Sequence, residues 1–243
     1  MKGVIYSINP QARIVDLCHE IEPQNIYDAA FLLKSSYPYF PEGTVFLVVV
    51  DPGVGSERKC VIVETEKYIF VAPDNGVLSF LTEKDIRRII QISNEEYFLQ
   101  PVSGTFHGRD IFAPVAAHIS RGQKIEEFGR AIKEIKRLNF PSPQIKKNRL
   151  MGEVIYVDRF GNLVTNINRD VFLRFIEGKK FQIGIGKVKI SKISSSYQEG
   201  KKGLPIAIFD SFHNLEISFY GDDASRRLKL NKGSKIHVEK RSN

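Results

Sequence analysis

The sequence contains few cysteines and few histidines. There are 2 cysteines and 5 histidines among 243 residues. Cys18 and Cys60 lack the spacing of metal ligands and the histidines are scattered, so we expect no metal ion. Two such thiols are typical of a reducing compartment, where cysteines are buried and unpaired.

The sequence also lacks the features of membrane insertion and export. No apolar stretch reaches the ~20 residues that span a bilayer. Polar residues follow Met1-Lys-Gly-Val-Ile-Tyr6 too early for a signal peptide. We therefore expect a cytoplasmic protein with no membrane partner.

Basic residues exceed acidic ones, giving a formal net charge of +8 and a pI near 9.4. Such an excess can attract nucleic acid. The lysines are dispersed, however, and no recognition motif or basic helix with interleaved aromatic residues is present. We expect a solvated basic surface and do not expect nucleic acid as a partner.

The pattern of apolar residues predicts two domains. In residues 1–140, strands alternate with helices, which indicates an α/β domain with a mostly parallel central sheet; within it, residues 12–17 alternate as a strand would. Residues 141–149 contain two prolines and a charge run, so they are predicted to be a linker. Residues 150–243 alternate without long helices, which indicates a small all-β, barrel-like domain. No internal repeat is apparent.

An acid-glycine-arginine segment, Asp51-Pro-Gly-Val-Gly-Ser-Glu-Arg58, follows the apolar run of residues 44–50. That run predicts a buried strand. Ligands of open α/β sheets bind where parallel strands end, and glycines allow the backbone to approach a ligand closely. Alternatively, the segment is a tight turn whose aspartate caps its own backbone.

A second segment, Ser103-Gly-Thr-Phe-His-Gly-Arg-Asp110, precedes a run of small apolar residues that predicts a packed helix. Asp110 is placed as the N-cap of that helix, and Arg109 is expected in a structural ion pair. His107 lies in the loop beside a glycine. On two loops at one sheet edge, Asp51, Arg58 and His107 would form an acid–base group.

Four motifs in order give the sequence a resemblance to a known family. They are Val50-Asp-Pro-Gly-Val-Gly55, Ala72-Pro-Asp-Asn-Gly76, Thr105-Phe-His-Gly-Arg-Asp110 and Asp158-Arg-Phe-Gly-Asn162. Together they strongly resemble the adenosine-forming S-adenosyl-L-methionine hydrolases, also called S-adenosylmethionine hydroxide adenosyltransferases. These enzymes are related to the fluorinating and chlorinating enzymes. The resemblance runs from Met1 to the C-terminus.

The resemblance implies an enzyme that hydrolyses S-adenosylmethionine to adenosine and L-methionine without a cofactor. Asp51, Arg58 and His107 would hold the attacking water, and whether Asp51 or His107 takes its proton stays open. Substrate contacts are implied for Asn75, Phe106, Asp158, Phe160, Asn162, Ser211 and Glu216. The family is typically a homotrimer, with the site between the N-terminal domain of one subunit and the β domain of the next.

Without the resemblance, several of these residues would have ordinary structural roles. Phe160 would be a core residue, Asn75 and Asn162 turn residues, and Glu216 an exposed strand residue.

Three other functions compete with the hydrolase. One is a halide-dependent 5′-halo-5′-deoxyadenosine synthase, although the fluorinating members carry tyrosines at the positions of Asp51 and His107 and a serine at that of Gly108. Another is a non-catalytic protein that binds adenosine or S-adenosylmethionine. A nucleic-acid binder, supported by net charge alone, is the third.

Family members usually begin with a strand carrying a Thr-Asp-Phe-Gly-like motif, followed by a helix that leads into a Met-Lys-Gly-like sequence. This sequence begins at the last of these, with Met1, Lys2 and Gly3. The missing strand is expected to be central in the sheet, and its aspartate to hold the ribose hydroxyls. Our hypothesis is that Met1 is an internal methionine or that the chain is a truncated form.

Overall fold

Five short strands build the sheet of the first unit, Met1–Asn139, in the computed structural model, which describes residues 1–241. The elements of this unit are α1 (Lys2–Ile8), α2 (Ile26–Ser36), β1 (Val45–Leu47), β2 (Cys60–Thr65), β3 (Ile69–Pro73), β4 (Ile86–Ile92), α3 (Ala113–Ser120) and β5 (Gly129–Ala131). A π-helical turn, Gly108–Phe112, leads into α3. Short 3₁₀ helices lie at Tyr37–Tyr39, Glu95–Tyr97 and Ile125–Phe128.

The sheet of the first unit is mixed, with the strand order β1-β3-β2-β4-β5. Only β1 and β3 run parallel, and the other three pairings are antiparallel. The prediction of a mostly parallel sheet is therefore wrong. Residues 66–68 alone connect β2 to β3, and so short a link can only form a hairpin, because a parallel crossover needs about a dozen residues.

The helices pack on this sheet through small and apolar side chains. Phe112, Val115 and Phe128 are buried against Ile62 and Ile90 of the sheet. The first helix, α1, packs on α3. The small-residue run beginning at residue 111 thus forms the expected buried helix, which fixes the loop in front of it.

The outer edge of β1 pairs with no strand among the residues that the structure describes. A cavity of about 790 Å³ opens beside it. Residues 12–18, part of which was predicted as a strand, pass this cavity without regular structure. Apolar side chains in its wall include Ile5, Ala29, Leu33, Phe46, Leu47 and Val49.

The second unit, Phe140–Asn243, is built on one nine-stranded sheet. Its elements are β6 (Gln144–Lys146), β7 (Arg149–Val157), β8 (Leu163–Asn168), α4 (Arg169–Ile176), β9 (Phe181–Ile185), β10 (Val188–Ile190), β11 (Ile193–Ser194), β12 (Pro205–Phe209), β13 (Asn214–Phe219), α5 (Ala224–Leu228) and β14 (Lys235–Lys240). A 3₁₀ helix lies at Tyr197–Glu199.

The strand order of the second unit is β10-β9-β14-β7-β8-β13-β12-β11, with β6 paired to β7. The sheet curls so that β10 contacts β12, which gives a half-barrel. Phe172 of α4 fills its concave side and packs edge-on against Phe181 and Phe209. The predicted linker, residues 141–149, contains β6, because the alternating residues after its prolines find a partner in β7.

None of the helices between Met1 and Arg241 combines the length and apolarity needed to cross a membrane.

Candidate functional site

The loop that follows β1 folds back on itself and returns Arg58 to Asp51. Val54 N donates to Asp51 O at 3.2 Å, and Ser56 N donates to Gly53 O at 3.0 Å. These two successive turns carry the chain to the start of β2. Proline and two glycines thus serve a reversal that places the acid and the arginine side by side.

Asp51 and Arg58 form a nearly buried, two-pronged ion pair. Arg58 Nε lies 2.9 Å from Asp51 Oδ1, and Nη2 lies 2.5 Å from Oδ2. The side chains are 5% and 9% exposed, respectively. Burial is the largest influence on the pKa of Arg58 and lowers it, but the hydrogen bonds and electrostatic effects of Asp51 and Cys60 together outweigh burial, and the pKa is raised. Arg58 is therefore a fixed positive charge in a site with little water.

His107 joins this pair from the second loop. Its Nδ1 lies 2.8 Å from Arg58 Nη2. A guanidinium can only donate hydrogen bonds, so Nδ1 is the acceptor and the neutral ring carries its proton on Nε2. Burial lowers the pKa of His107, and the charge of Arg58 lowers it further. The structure thus brings together the three residues expected to form the acid–base group, with His107 neutral.

A close contact between two glycines holds the two loops together. Gly55 has φ +77°, and a Cβ at this position would lie 2.2 Å from the carbonyl oxygen of Gly104. At Gly108, a Cβ would lie 3.2 Å from Val49 Cγ1. The absence of side chains at these positions lets the backbones approach, so the glycines contribute to the Arg58–His107 distance.

Asp110 has a different role from the predicted N-cap. It lies inside the π-helical turn, and its carboxylate accepts a hydrogen bond from Ser103 N at 2.8 Å. Arg109 Nε pairs with it at 2.6 Å, as the predicted structural ion pair requires. The wider π turn directs the carboxylate back across the loop, so Asp110 closes the loop that carries His107.

The two other candidates of the first unit lie at the borders of these loops. Asn75 is buried; its Nδ2 donates to Val50 O at 2.8 Å and its Oδ1 accepts from Val77 N. It therefore fixes the backbone directly before Asp51. The ring of Phe106 is 44% exposed and lies under the guanidinium of Arg109, 5.3 Å from its Cζ.

In the second unit, Asp158 holds the turn between β7 and β8. Its Oδ1 accepts from the backbone N–H groups of Phe160 and Asn162 at 2.9 and 2.8 Å. Its Oδ2 accepts from Asn162 Nδ2 at 2.9 Å. Phe160 stands at the tip of this turn and is 78% exposed, so it is not a core residue.

The turn between β12 and β13 repeats this arrangement, which the sequence reading missed. Asp210 Oδ1 accepts from Phe212 N and Asn214 N, each at 2.8 Å. The residue before the asparagine has positive φ in both turns, +82° at Gly161 and +64° at His213. The recurring pattern Asp-x-Phe-x-Asn was the available signal. Ser211 is exposed in this second turn.

Glu216 is buried on β13 rather than exposed. Its Oε1 accepts from Tyr197 Oη at 2.9 Å and from Ser218 Oγ at 2.5 Å. Burial raises the pKa of Glu216, and the charges of Asp158 and Asp210 raise it further. Burial and Glu216 likewise raise the pKa of Tyr197, a residue that no sequence motif singled out.

Within residues 1–241, no group of three or more His, Cys, Asp or Glu side chains is arranged to hold a metal ion.

Comparison with known proteins finds relatives that match nearly the whole chain. Residues 1–129 match the model of the SAM hydroxide adenosyltransferase N-terminal domain, and residues 152–237 match that of its C-terminal domain. An (R)-S-adenosyl-L-methionine hydrolase from Methanocaldococcus jannaschii is 39% identical, over 98% of this chain and 89% of its own. A fluorinase from Actinoplanes is 28% identical, over 98% of this chain and 91% of its own.

A solved structure has the same fold. The crystal structure of an uncharacterized conserved protein from Thermotoga maritima superposes with a TM-score of 0.91 at 38% identity, covering 98% of this chain and 93% of that one.

We predict that Gly55→Ala destabilises the protein more than Gly43→Ala. Both glycines have positive φ, so each alanine costs about 1–2 kcal/mol in the backbone. Only at Gly55 would the new Cβ also meet a carbonyl, which adds roughly 1–3 kcal/mol. The free energy of unfolding in urea is the measurement, and equal losses in the two variants would contradict the proposed loop contact.

Proposed function

Because the chain belongs to the SAM hydroxide adenosyltransferase family, we propose that it hydrolyses S-adenosyl-L-methionine to adenosine and L-methionine. The observation that carries this proposal is the contact of Asp51, Arg58 and His107 on two adjacent loops of the first unit. These residues lie in the part of the chain that matches the N-terminal family model.

The reaction is a displacement at the ribose C5′. The oxygen of water bonds to C5′ while the C5′–S bond breaks. The electron pair of the broken bond stays on sulfur. Methionine leaves as a neutral thioether, so the leaving group needs no proton or metal ion. The enzyme has to align the water opposite sulfur, at about 3–3.5 Å from carbon, and to accept one proton.

Hydrogen-bond direction supports a division of roles within the group. The lone pair of His107 Nδ1 is engaged by Arg58, so the ring offers the water a donor at Nε2. Asp51 carries the negative charge and accepts a hydrogen bond from the water. Arg58 stabilises the developing hydroxide character through its charge. We therefore place the proton acceptor at Asp51 and treat His107 as the group that orients the water.

Side chains of the second unit supply the proposed substrate contacts. The exposed ring of Phe160 can stack on adenine. Asn162 Nδ2 donates one of its two hydrogens to Asp158, so Asn162 would meet the edge of adenine through its Oδ1 or its second N–H. Asp158 and Ser211 would meet the amino-acid end of the methionine, whose ammonium group favours a carboxylate partner, and Glu216 would add a further contact.

In the first unit, Phe106 offers a further ring for the substrate. Asn75 would act through the backbone before Asp51, whose Val50 carbonyl it holds.

The finer features follow from the family resemblance. We propose a cytoplasmic homotrimer with its sites at subunit contacts, working without a metal or other cofactor and without nucleic acid as a partner. We also propose that residues 1–140 form the catalytic domain and residues 150–243 the substrate-binding domain.

We predict that, in ¹⁸O-enriched water, the protein forms adenosine labelled at the 5′-hydroxyl together with unlabelled L-methionine. Water attacks carbon, so the label enters the nucleoside. Mass spectrometry of both products is the measurement. Unlabelled adenosine would exclude direct displacement, a 5′-halo-5′-deoxyadenosine formed with added chloride or fluoride would favour the halide reaction, and binding without turnover would favour a non-catalytic protein.

We predict that Asp51→Asn and His107→Gln each lower kcat by roughly 10²–10⁴-fold. Both groups hold the same water, so the double variant should lose little more than either single one. His118→Gln is the matched control, because His118 lies on α3 against Tyr97 and outside the group. A His107→Gln enzyme with the kcat of the control would remove His107 from the mechanism.

We predict that the protein is a trimer in solution and that activity per subunit falls when the trimer dissociates. Light scattering combined with assays on dilution is the measurement. A monomer with full activity would contradict the shared site.

A further inference from the structure

We propose that Cys60 is a positioning residue of the candidate active site, because its sulfur accepts a hydrogen bond from Arg58 and so directs the guanidinium toward His107. The effect on turnover rests on the proposed function. The expected change in the pKa of His107 does not rest on the proposed function, since it is measured in the protein without substrate.

The three nitrogens of the Arg58 guanidinium each donate to a different set of acceptors. Nε donates to Asp51, and Nη2 donates to both Asp51 and His107. Nη1 donates to Cys60 Sγ at 2.9 Å. No other atom of residues 1–241 accepts a hydrogen bond from Nη1. Cys60 therefore holds the Nη1 side of the planar guanidinium, while the Nε and Nη2 sides face Asp51 and His107.

Cys60 is itself held by rigid structure. It is the first residue of β2, pairs with Pro73 of β3, and is 9% exposed. Its side chain belongs to the apolar cluster that includes Phe112, whose ring centre lies 5.3 Å from Arg58 Cζ. A sulfur atom on a central strand has a better fixed position than an atom on a loop, so it can hold the guanidinium more precisely.

The thiol suits this role as a neutral acceptor. Burial raises the pKa of Cys60, although the adjacent Arg58 opposes the rise. A neutral thiol adds no charge to the ion pair of Asp51 and Arg58. Its sulfur accepts weakly and fits among apolar side chains, where an additional carboxylate would compete with Asp51 for Arg58.

Removal of the sulfur should change the pKa of His107. Three charged groups act on this imidazole: Arg58 lowers its pKa, while Asp51 and Asp110 raise it. Without an acceptor at residue 60, Nη1 loses its partner and the guanidinium can turn away from His107 Nδ1. The opposing carboxylates remain in place, so the pKa of His107 should rise toward that of an ordinary histidine.

The experiment compares Cys60→Ala, Cys60→Val and Cys60→Ser with the wild-type protein. Alanine and valine remove the acceptor, valine with less loss of volume, whereas serine retains an acceptor. Cys18→Ala is the matched control, since Cys18 is the exposed cysteine. The pKa of His107 is measured by NMR titration of the full-length protein, with its signal identified by its loss in His107→Gln. The pH dependence of kcat is measured alongside.

We expect alanine and valine to raise the His107 pKa and to lower kcat by roughly three- to tenfold, the range of one net hydrogen bond. The acidic limb of the kcat profile should move to higher pH with the histidine, because Arg58 can donate to His107 Nδ1 only while that nitrogen is unprotonated. Serine should restore both values, and Cys18→Ala should change neither.

An unchanged His107 pKa in both the alanine and valine variants would overturn the inference. So would a loss of kcat with no shift of the acidic limb, or a serine variant that behaves like alanine, because each would mean that Cys60 only fills space. If alanine fails to fold, valine and serine decide the question by the same criteria. If wild-type protein shows no turnover, the proposed function fails, while the NMR titration still tests the contact.

Discussion

The burial of the Arg58 guanidinium is the constraint on which the first unit depends. A cation that is 9% exposed must have its charge balanced and its N–H groups accepted. Asp51 balances the charge from the end of the segment after β1, His107 accepts from the loop before α3, and Cys60 accepts from β2. The guanidinium of Arg58 thereby fixes three separate parts of the chain relative to one another. The proposed chemistry depends on this fixed geometry.

Much of this centre was visible in the sequence because charged residues stood where apolar runs stopped. Asp51 and Arg58 follow such a run, His107 stands out as a loop histidine beside a glycine, and the structure places the three in contact. The direction of the strands could not be obtained in the same way. A buried apolar run looks alike in parallel and antiparallel sheets, and the deciding feature was the short link at residues 66–68. Residues 12–17 had strand-like alternation but pair with no strand in the part of the chain that the structure describes.

Side-chain contacts that only the folded chain brings about explain what the sequence did not reveal. Cys60 and Tyr197 carry no motif, and their partners, Arg58 and Glu216, are set by strand register and by a 3₁₀ helix. Propensity also placed Asp110 as a helix cap, since the π turn that redirects it has no simple sequence signature. Composition gave no sign of the buried position of Glu216, which follows from two hydroxyl groups that meet it on the curled sheet.

The two similar turns of the second unit satisfy their aspartates with hydrogen bonds from their own backbone. Each tip is therefore pre-organised, and a molecule that stacks on Phe160 has little backbone entropy to remove on binding. The turns also tolerate different neighbours, since Arg159 and Gly161 in one correspond to Ser211 and His213 in the other. The side chains at such a tip can accordingly change while the hairpin beneath it keeps its register.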